Sequence, residues 1–321
     1  MPYPMLTLIL NRDWLPLLLS MISGFMIVKN VLGQGYPFVE AIASALPICD
    51  EFLISDGYST DGTYETIQKI ATLNPKVKIF QQQWPSKKSV NVLTDVTNTL
   101  RKKCRFQHIF SVQANEIIHE ENIPFIKSLP KMLPYADTFS FPYLQLLNYY
   151  KLTEEFRLRF AKNLPRIEAI DDGWTLGISK SFERAKKLKC FAYPPRLSGY
   201  IRAGIMYTYA NIGYTPHSRA IYLPKPVYRY WALFPKNFIQ KYEGHRQLFA
   251  LESFKDSIDN LKLYMNDLET FWRLSYETLN KTLSKERPQY LESYKTVEKK
   301  NHPAVIQEFI SNPNVDKYYV R

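Results

Sequence analysis

Residues 23–112 alternate between short apolar runs and stretches of helical spacing, and this alternation constrains the fold more than any other feature of the chain. Residues 23–30 (Ser-Gly-Phe-Met-Ile-Val-Lys-Asn) read as a buried strand with polar residues at its end. Residues 37–48 read as a helix, with Pro37 near its first turn and Phe38, Val39, Ile42 and Leu46 at helical spacing. A second apolar run over 51–55 ends in Asp56-Gly57, and the turn Tyr58-Ser-Thr-Asp-Gly62 follows. Residues 63–73 then predict a second helix, 77–82 a third strand, 88–103 a third helix and 108–112 a fourth strand. Such an alternation predicts an α/β domain, with a mostly parallel sheet and helices on its faces. Ligands of these sheets lie beyond the carboxyl ends of the strands. Here those ends are Lys29-Asn30, Asp56-Gly57, Gln83-Trp84 and Gln113-Ala-Asn-Glu116, all of them polar.

The pattern loosens from about residue 130, where only short strands such as 138–143 are expected, and 142–235 is rich in Pro and aromatics. Beyond Pro235 the chain turns helical. Leu251, Phe254, Ile258, Leu261, Leu268 and Phe271 approximate one packing stripe. The division expected is an N-terminal segment (1–21), an α/β domain (22–235) and a helical C-terminal region (236–321). The apolar stretch 15–28 is interrupted by Pro16, Ser20, Ser23 and Gly24 and is too short for a membrane span. It lacks the flanks of a signal peptide. Three widely spaced cysteines, Cys49, Cys104 and Cys190, form no zinc-like pair and predict reduced thiols in a cytoplasmic setting. The net charge of +12 favours phosphorylated ligands or peripheral contact with an anionic membrane. No nucleic-acid-binding signature accompanies it, so nucleic acid is not an expected partner.

The segment Asp50-Glu-Phe-Leu-Ile-Ser-Asp-Gly-Tyr-Ser-Thr-Asp-Gly-Thr63 places the Asp56 carboxylate at a strand end, where it can accept a hydrogen bond from a ligand. Gly57 and Gly62 allow tight backbone geometry, and Ser59, Thr60 or Asp61 supplies a cap for the next helix. Asp61 is read as a cap only. This segment resembles the strand-end turn of family 2 glycosyltransferases. The resemblance implies a GT-A fold, a Rossmann-like mostly parallel sheet flanked by helices, here with a C-terminal helical extension. It also implies inverting transfer of a sugar from a nucleotide diphosphate sugar to a glycan, lipid or protein acceptor. Lys29, Asn30, Asp56 and Gly57 are the expected donor-binding residues.

Phe110-Ser-Val-Gln-Ala-Asn-Glu-Ile-Ile-His-Glu120 resembles the acidic motif of the same family, whose carboxylates hold a divalent metal on the donor diphosphate. Asn115 stands where the resemblance implies Asp, and an amide brings no charge to a hard cation. Asn115 and Glu116 are the residual candidates for Mn²⁺ or Mg²⁺ and for donor binding, and His119 is read as structural. In Lys225-Pro-Val-Tyr-Arg-Tyr-Trp231, Arg229 stands where the resemblance implies a His that commonly serves as a metal ligand in GT-A enzymes. A guanidinium offers no lone pair, but it fits a phosphate through two parallel hydrogen bonds. Metal dependence is therefore expected to be weakened or dispensable, with Arg229 in the donor site. After Arg157-Leu-Arg-Phe-Ala-Lys-Asn-Leu-Pro165 comes Asp171-Asp172-Gly-Trp174, where the resemblance places the general base; Asp171 and Asp172 are both candidates. Asn301-His-Pro303 resembles a C-terminal helix start, with His302 structural. Two other readings share these features: a nucleotidyltransferase, which Lys29-Asn-Val-Leu-Gly-Gln-Gly35 fits poorly, and a non-catalytic nucleotide-sugar-binding protein.

Overall fold

The computed structural model describes residues 20–85, 92–170, 173, 175–178, 218–240, 255–286 and 296–311. The predicted alternation is present: β1 (Ile22–Val28), α1 (Phe38–Ala45), β2 (Glu51–Asp56), α2 (Thr63–Leu73), β3 (Val77–Gln81), α3 (Val92–Arg101) and β4 (His108–Ser111). Next come β5 (Glu116–Ile117), α4 (Ile123–Met132), β6 (Thr138–Leu147), β7 (Tyr150–Lys162), β8 (Glu168–Ile170), β9 (Thr175–Gly177), β10 (Ser218–Ala220) and β11 (Val227–Ala232). Helices α5 (Lys255–Lys262), α6 (Leu268–Glu286) and α7 (Ala304–Ser311) complete the described elements.

One sheet runs in the order β3-β2-β1-β4-β7-β6-β11-β5, with β10 also on β6. β1, β2, β3 and β4 are mutually parallel, as are β6, β10 and β11, while β7 lies antiparallel between β4 and β6. The sheet is thus mixed in its second half. Residues beyond 130, expected to be irregular, instead form its longest strands: β6 has 10 residues and β7 has 13. Their sequence hid this because both faces are covered. β6 is buried at every position, so it shows no period of two.

Apolar side chains fill both faces. Phe38, Ala41 and Ile42 of α1 pack against Met26, Val28, Phe52 and Ile54 on one side. Phe25, Leu53 and Ile109 meet Leu100, Ile167 and Leu176 on the other. A third cluster seats the C-terminal helices on the far ends of β6 and β11, with Leu147 and Ala232 against Leu261, Phe271 and Trp272. The expected helical stripe is therefore only partly right. Leu261 and Phe271 are buried, but Leu268 is 38% exposed. The chain breaks between α5 and α6, where the Asp267 carboxylate caps α6 by accepting from Thr270 N–H at 3.2 Å, so the helical phase restarts. Leu251, Phe254 and the Ile258 side chain lie outside the described residues. Among the described residues, no helix is long and apolar enough to cross a membrane.

Strand order reverses at β1, with β2 on one side and β4 on the other. β1 stays paired with β2 as far as Val28–Asp56 but with β4 only as far as Phe25–Ser111. β4 therefore stops short at the switch point, where open α/β sheets form the crevice that holds ligands.

Candidate functional site

On one flank of the crevice, three strand ends converge. Asp56 ends β2 and is fully buried, and its carboxylate accepts from Ser59 N–H at 3.1 and 3.4 Å. Gly57 follows, and a Cβ there would fall 2.7 Å from Trp84 Nε1 and 2.9 Å from Lys29 Cδ. Glycine is required because the indole and the lysine stem close over the backbone. Lys29 Nζ lies 5.7 Å from the centroid of the Trp84 ring, within cation–π range. The Trp84 indole N–H is buried without a hydrogen-bond partner. In the sequence Trp84 is only a polar-capable residue at a strand end; the orphaned donor is visible only in three dimensions.

The Ser-Thr-Asp-Gly-Thr turn is laced to the loop after β1. Asn30 takes a left-handed φ of 52°, its N–H donates to Ser59 Oγ at 2.9 Å, and its Oδ1 accepts from Thr60 N–H at 2.8 Å. Asp61 accepts from Gly33 N–H at 2.6 Å and from Thr63 N–H at 3.1 Å, so it ties the turn together, while the N-cap position of α2 is Gly62 and carries no side-chain cap bond. Tyr58, also left-handed at φ 57°, is half exposed beside Asp56.

The opposite flank is charged and closed. Glu116 is 1% exposed and Arg159, on β7, is 0% exposed; Arg159 Nη2 lies 2.6 Å from Glu116 Oε1. Glu116 Oε2 accepts from Gln113 N–H at 3.0 Å. Burial acts to lower the Arg159 pKa, but Glu116 and Tyr143 outweigh it and the net direction is upward. Arg159 Nη1 also donates to Gly173 O at 3.3 Å, and Gly173 N–H donates to Thr94 Oγ1 at 2.8 Å. Asn115 is buried, and its amide nitrogen donates to Tyr230 O at 2.9 Å. Arg229 stands directly across from Glu116 on β11 and donates to Gln145 Oε1 at 3.0 Å. The structure thus brings Asn115, Glu116 and Arg229 together, but gives Glu116 to Arg159. Arg159 left no signal in the sequence, because its partner is 43 residues away. Among the described residues, no three His, Cys, Asp or Glu side chains gather in a way that could hold a metal ion. Asp171 and Asp172, the candidate bases, lie outside the described residues.

Both histidines read as structural have structural partners. His119 Nδ1 accepts from Glu121 N–H at 3.2 Å. His302 is 1% exposed and lies 2.7 Å from the Tyr230 hydroxyl, and burial lowers its pKa. Through His302 the segment before α7 locks onto β11, the strand that carries Arg229.

No protein-family model matches the sequence, and no curated protein matches it. Solved glycosyltransferases do resemble the structure. Staphylococcus aureus TarS aligns at 14% identity and a TM-score of 0.38, over 74% of this chain and 69% of that one. TarS in complex with UDP-GlcNAc aligns at 13% and 0.35, over 84% and 78%. A mannosyltransferase from Pyrobaculum calidifontis, in complex with GDP-Man and Mn²⁺, aligns at 12% and 0.38, over 95% and 89%. The match to a longer TarS structure spans 42% of that chain. Likeness at this level says nothing of the chemistry, which has to be read from this chain's own residues.

Proposed function

We propose that this chain binds a nucleotide diphosphate sugar across the carboxyl ends of β1, β2 and β3 and transfers its sugar to an acceptor with inversion. The observation that carries this reading is the convergence of Asp56, Gly57, Lys29 and the unpartnered Trp84 indole at the switch point of the sheet. The family-like turn from Asp56 to Thr63 lies in the same place. A carboxylate that accepts one backbone N–H retains capacity for a second donor, as a base imide would supply. Lys29 and Arg229 contribute positive charge toward the diphosphate, where charge grows as it departs.

Asp171 or Asp172 is the proposed general base, taking the proton of the acceptor hydroxyl as it attacks the anomeric carbon. Support comes from Gly173: its carbonyl is held by Arg159, which in turn holds Glu116, so the backbone just after Asp172 is tied to the acidic motif. Glycan, lipid and protein acceptors all fit this chemistry. A cytoplasmic location belongs to the same reading; Cys49 and Cys104 are buried free thiols.

The test has two parts. Asp56→Asn should weaken UDP or GDP binding in calorimetry without unfolding the chain, and an unchanged dissociation constant removes Asp56 from the site. Asn at the true base should lower turnover about 10²–10⁴-fold with little change in donor affinity. If Asp171→Asn and Asp172→Asn both retain turnover, neither is the base.

A further inference from the structure

The acidic motif at the end of β4 implies a divalent cation, and the residues present do not fit one. Each oxygen of Glu116 already accepts a bond, Oε1 from Arg159 at 2.6 Å and Oε2 from Gln113 N–H at 3.0 Å, and its negative charge is met by the buried Arg159 guanidinium. The neighbouring carboxylate position is Asn115, whose amide nitrogen is committed to Tyr230 O. The cross-strand neighbour of Glu116 is a cation, Arg229. A metal on Glu116 would also sit beside a guanidinium that is fully buried, cannot reach solvent in this arrangement and does not deprotonate. Like charges so placed repel strongly in a dry interior.

Arg159 makes a second contact that a merely neutralising cation would not. Its Nη1 donates to Gly173 O, and Gly173 is fixed from its other side by Thr94. At φ 70°, with a would-be Cβ 3.2 Å from Leu93 O, Gly173 admits no other residue without strain. One guanidinium therefore bridges the acidic motif on β5 and the turn that follows the two candidate bases. Its planar fork suits two acceptors at once, which a lysine ammonium does less well.

We propose that Arg159 is the resident cation of this site: it holds Glu116 in place of a divalent ion, positions the turn after Asp172, and leaves nucleotide diphosphate binding independent of metal. This rests on the nucleotide-sugar reading for its ligand, but not for the Glu116–Arg159 assignment itself. Arg159 is a positioning residue; Arg229 and Lys29 supply the charge that meets the diphosphate.

The experiment is a pair of titrations on the full chain. UDP and GDP are titrated by calorimetry in excess chelator and then in Mn²⁺, and Mn²⁺ alone is titrated into the free protein with detection by electron paramagnetic resonance. The expected result is nucleotide affinity unchanged within about threefold by Mn²⁺, and no saturable Mn²⁺ site in the free protein. Tightening beyond that by Mn²⁺, or stoichiometric Mn²⁺ binding by the free protein, overturns the proposal. If neither nucleotide binds in either condition, the nucleotide-sugar reading fails, and the Mn²⁺ titration alone still decides the assignment of Arg159. A third arm separates positioning from simple packing. Arg159→Met frees Glu116 and should make nucleotide binding respond to Mn²⁺, whereas Arg159→Lys should not. A folded Arg159→Met that remains indifferent to Mn²⁺ would reduce Arg159 to a structural role; if that variant does not fold, the two titrations of the unmodified protein decide.

Discussion

The two flanks of the crevice solve the same problem, pairing polar groups at strand ends, over very different distances along the chain. On the β1–β2 flank, Asn30, Leu32 and Gly33 meet Ser59, Thr60, Asp61 and Thr63 across 28 to 31 residues. Most of those bonds run between a backbone group and a side chain of one short motif. On the β5–β11 flank, Glu116 finds Arg159 across 43 residues, Arg229 finds Gln145 across 84, and Asn115 finds Tyr230 across 115. The first flank is a local device, in which small polar side chains satisfy the backbone of a turn and a helix start. The second is assembled only when the whole sheet closes, and its charges are buried. Energetic stakes should follow the same division, because a buried charge that loses its partner costs more than a turn that loses a cap.

Arg159→Met is the strongest way to break this contrast. It leaves the Glu116 carboxylate buried and uncompensated, and should destabilise the chain by about 3–5 kcal/mol in urea unfolding. Pairing it with Glu116→Gln should recover most of that loss, because both charges are then gone. A single-variant loss below about 1 kcal/mol would mean that the pair is wetter than its burial indicates.

Glu51 sharpens the contrast, because it is also buried and distant from its partners but lies away from the crevice. It is 2% exposed and receives Lys78 at 2.8 Å, Arg105 at 2.9 Å and the Ser23 hydroxyl at 2.7 Å. Burial acts to raise its pKa, but these bonds outweigh it and hold the carboxyl at about 2. A carboxyl lowered in the folded state stabilises fully above its ordinary value near 4.5, and that contribution is lost as pH falls toward 2. Glu51→Gln should therefore cost on the order of 2–3 kcal/mol at neutral pH, with the deficit shrinking over that acid window. A deficit independent of pH would assign the loss to packing rather than charge.

Asp61→Ala should have the smallest effect, about 1 kcal/mol, since it removes the turn bonds to Gly33 N–H and Thr63 N–H at a partly exposed site. A loss as large as that of Arg159→Met would erase the distinction between the flanks.

The contrast also explains what could be read in advance. The turn from Asp56 to Thr63 was legible because a turn is encoded by residues next to one another. Glycines and small polar residues before a helix leave signatures within about ten positions, whereas the Lys29 and Trp84 side chains that close over Gly57 come from other strand ends. The long β6–β7 hairpin left none: a strand covered on both faces loses its alternation, and its residues resemble those of any buried segment. The stripe through Leu268 failed because a capped break between α5 and α6 resets the helical phase.

By itself, the sequence determined the order of elements through β4 and the polar character of the strand ends. Only the tertiary structure decided where Glu116 spends its charge. The sequence shows that a carboxylate and two arginines exist, but neither the three strands that carry them nor which of them meet. Arg159 and Glu116 become neighbours because β7 inserts between β4 and β6, and β11 then brings β5 back to the sheet. A buried charge must be paired, but which partner it takes is set by the strand order.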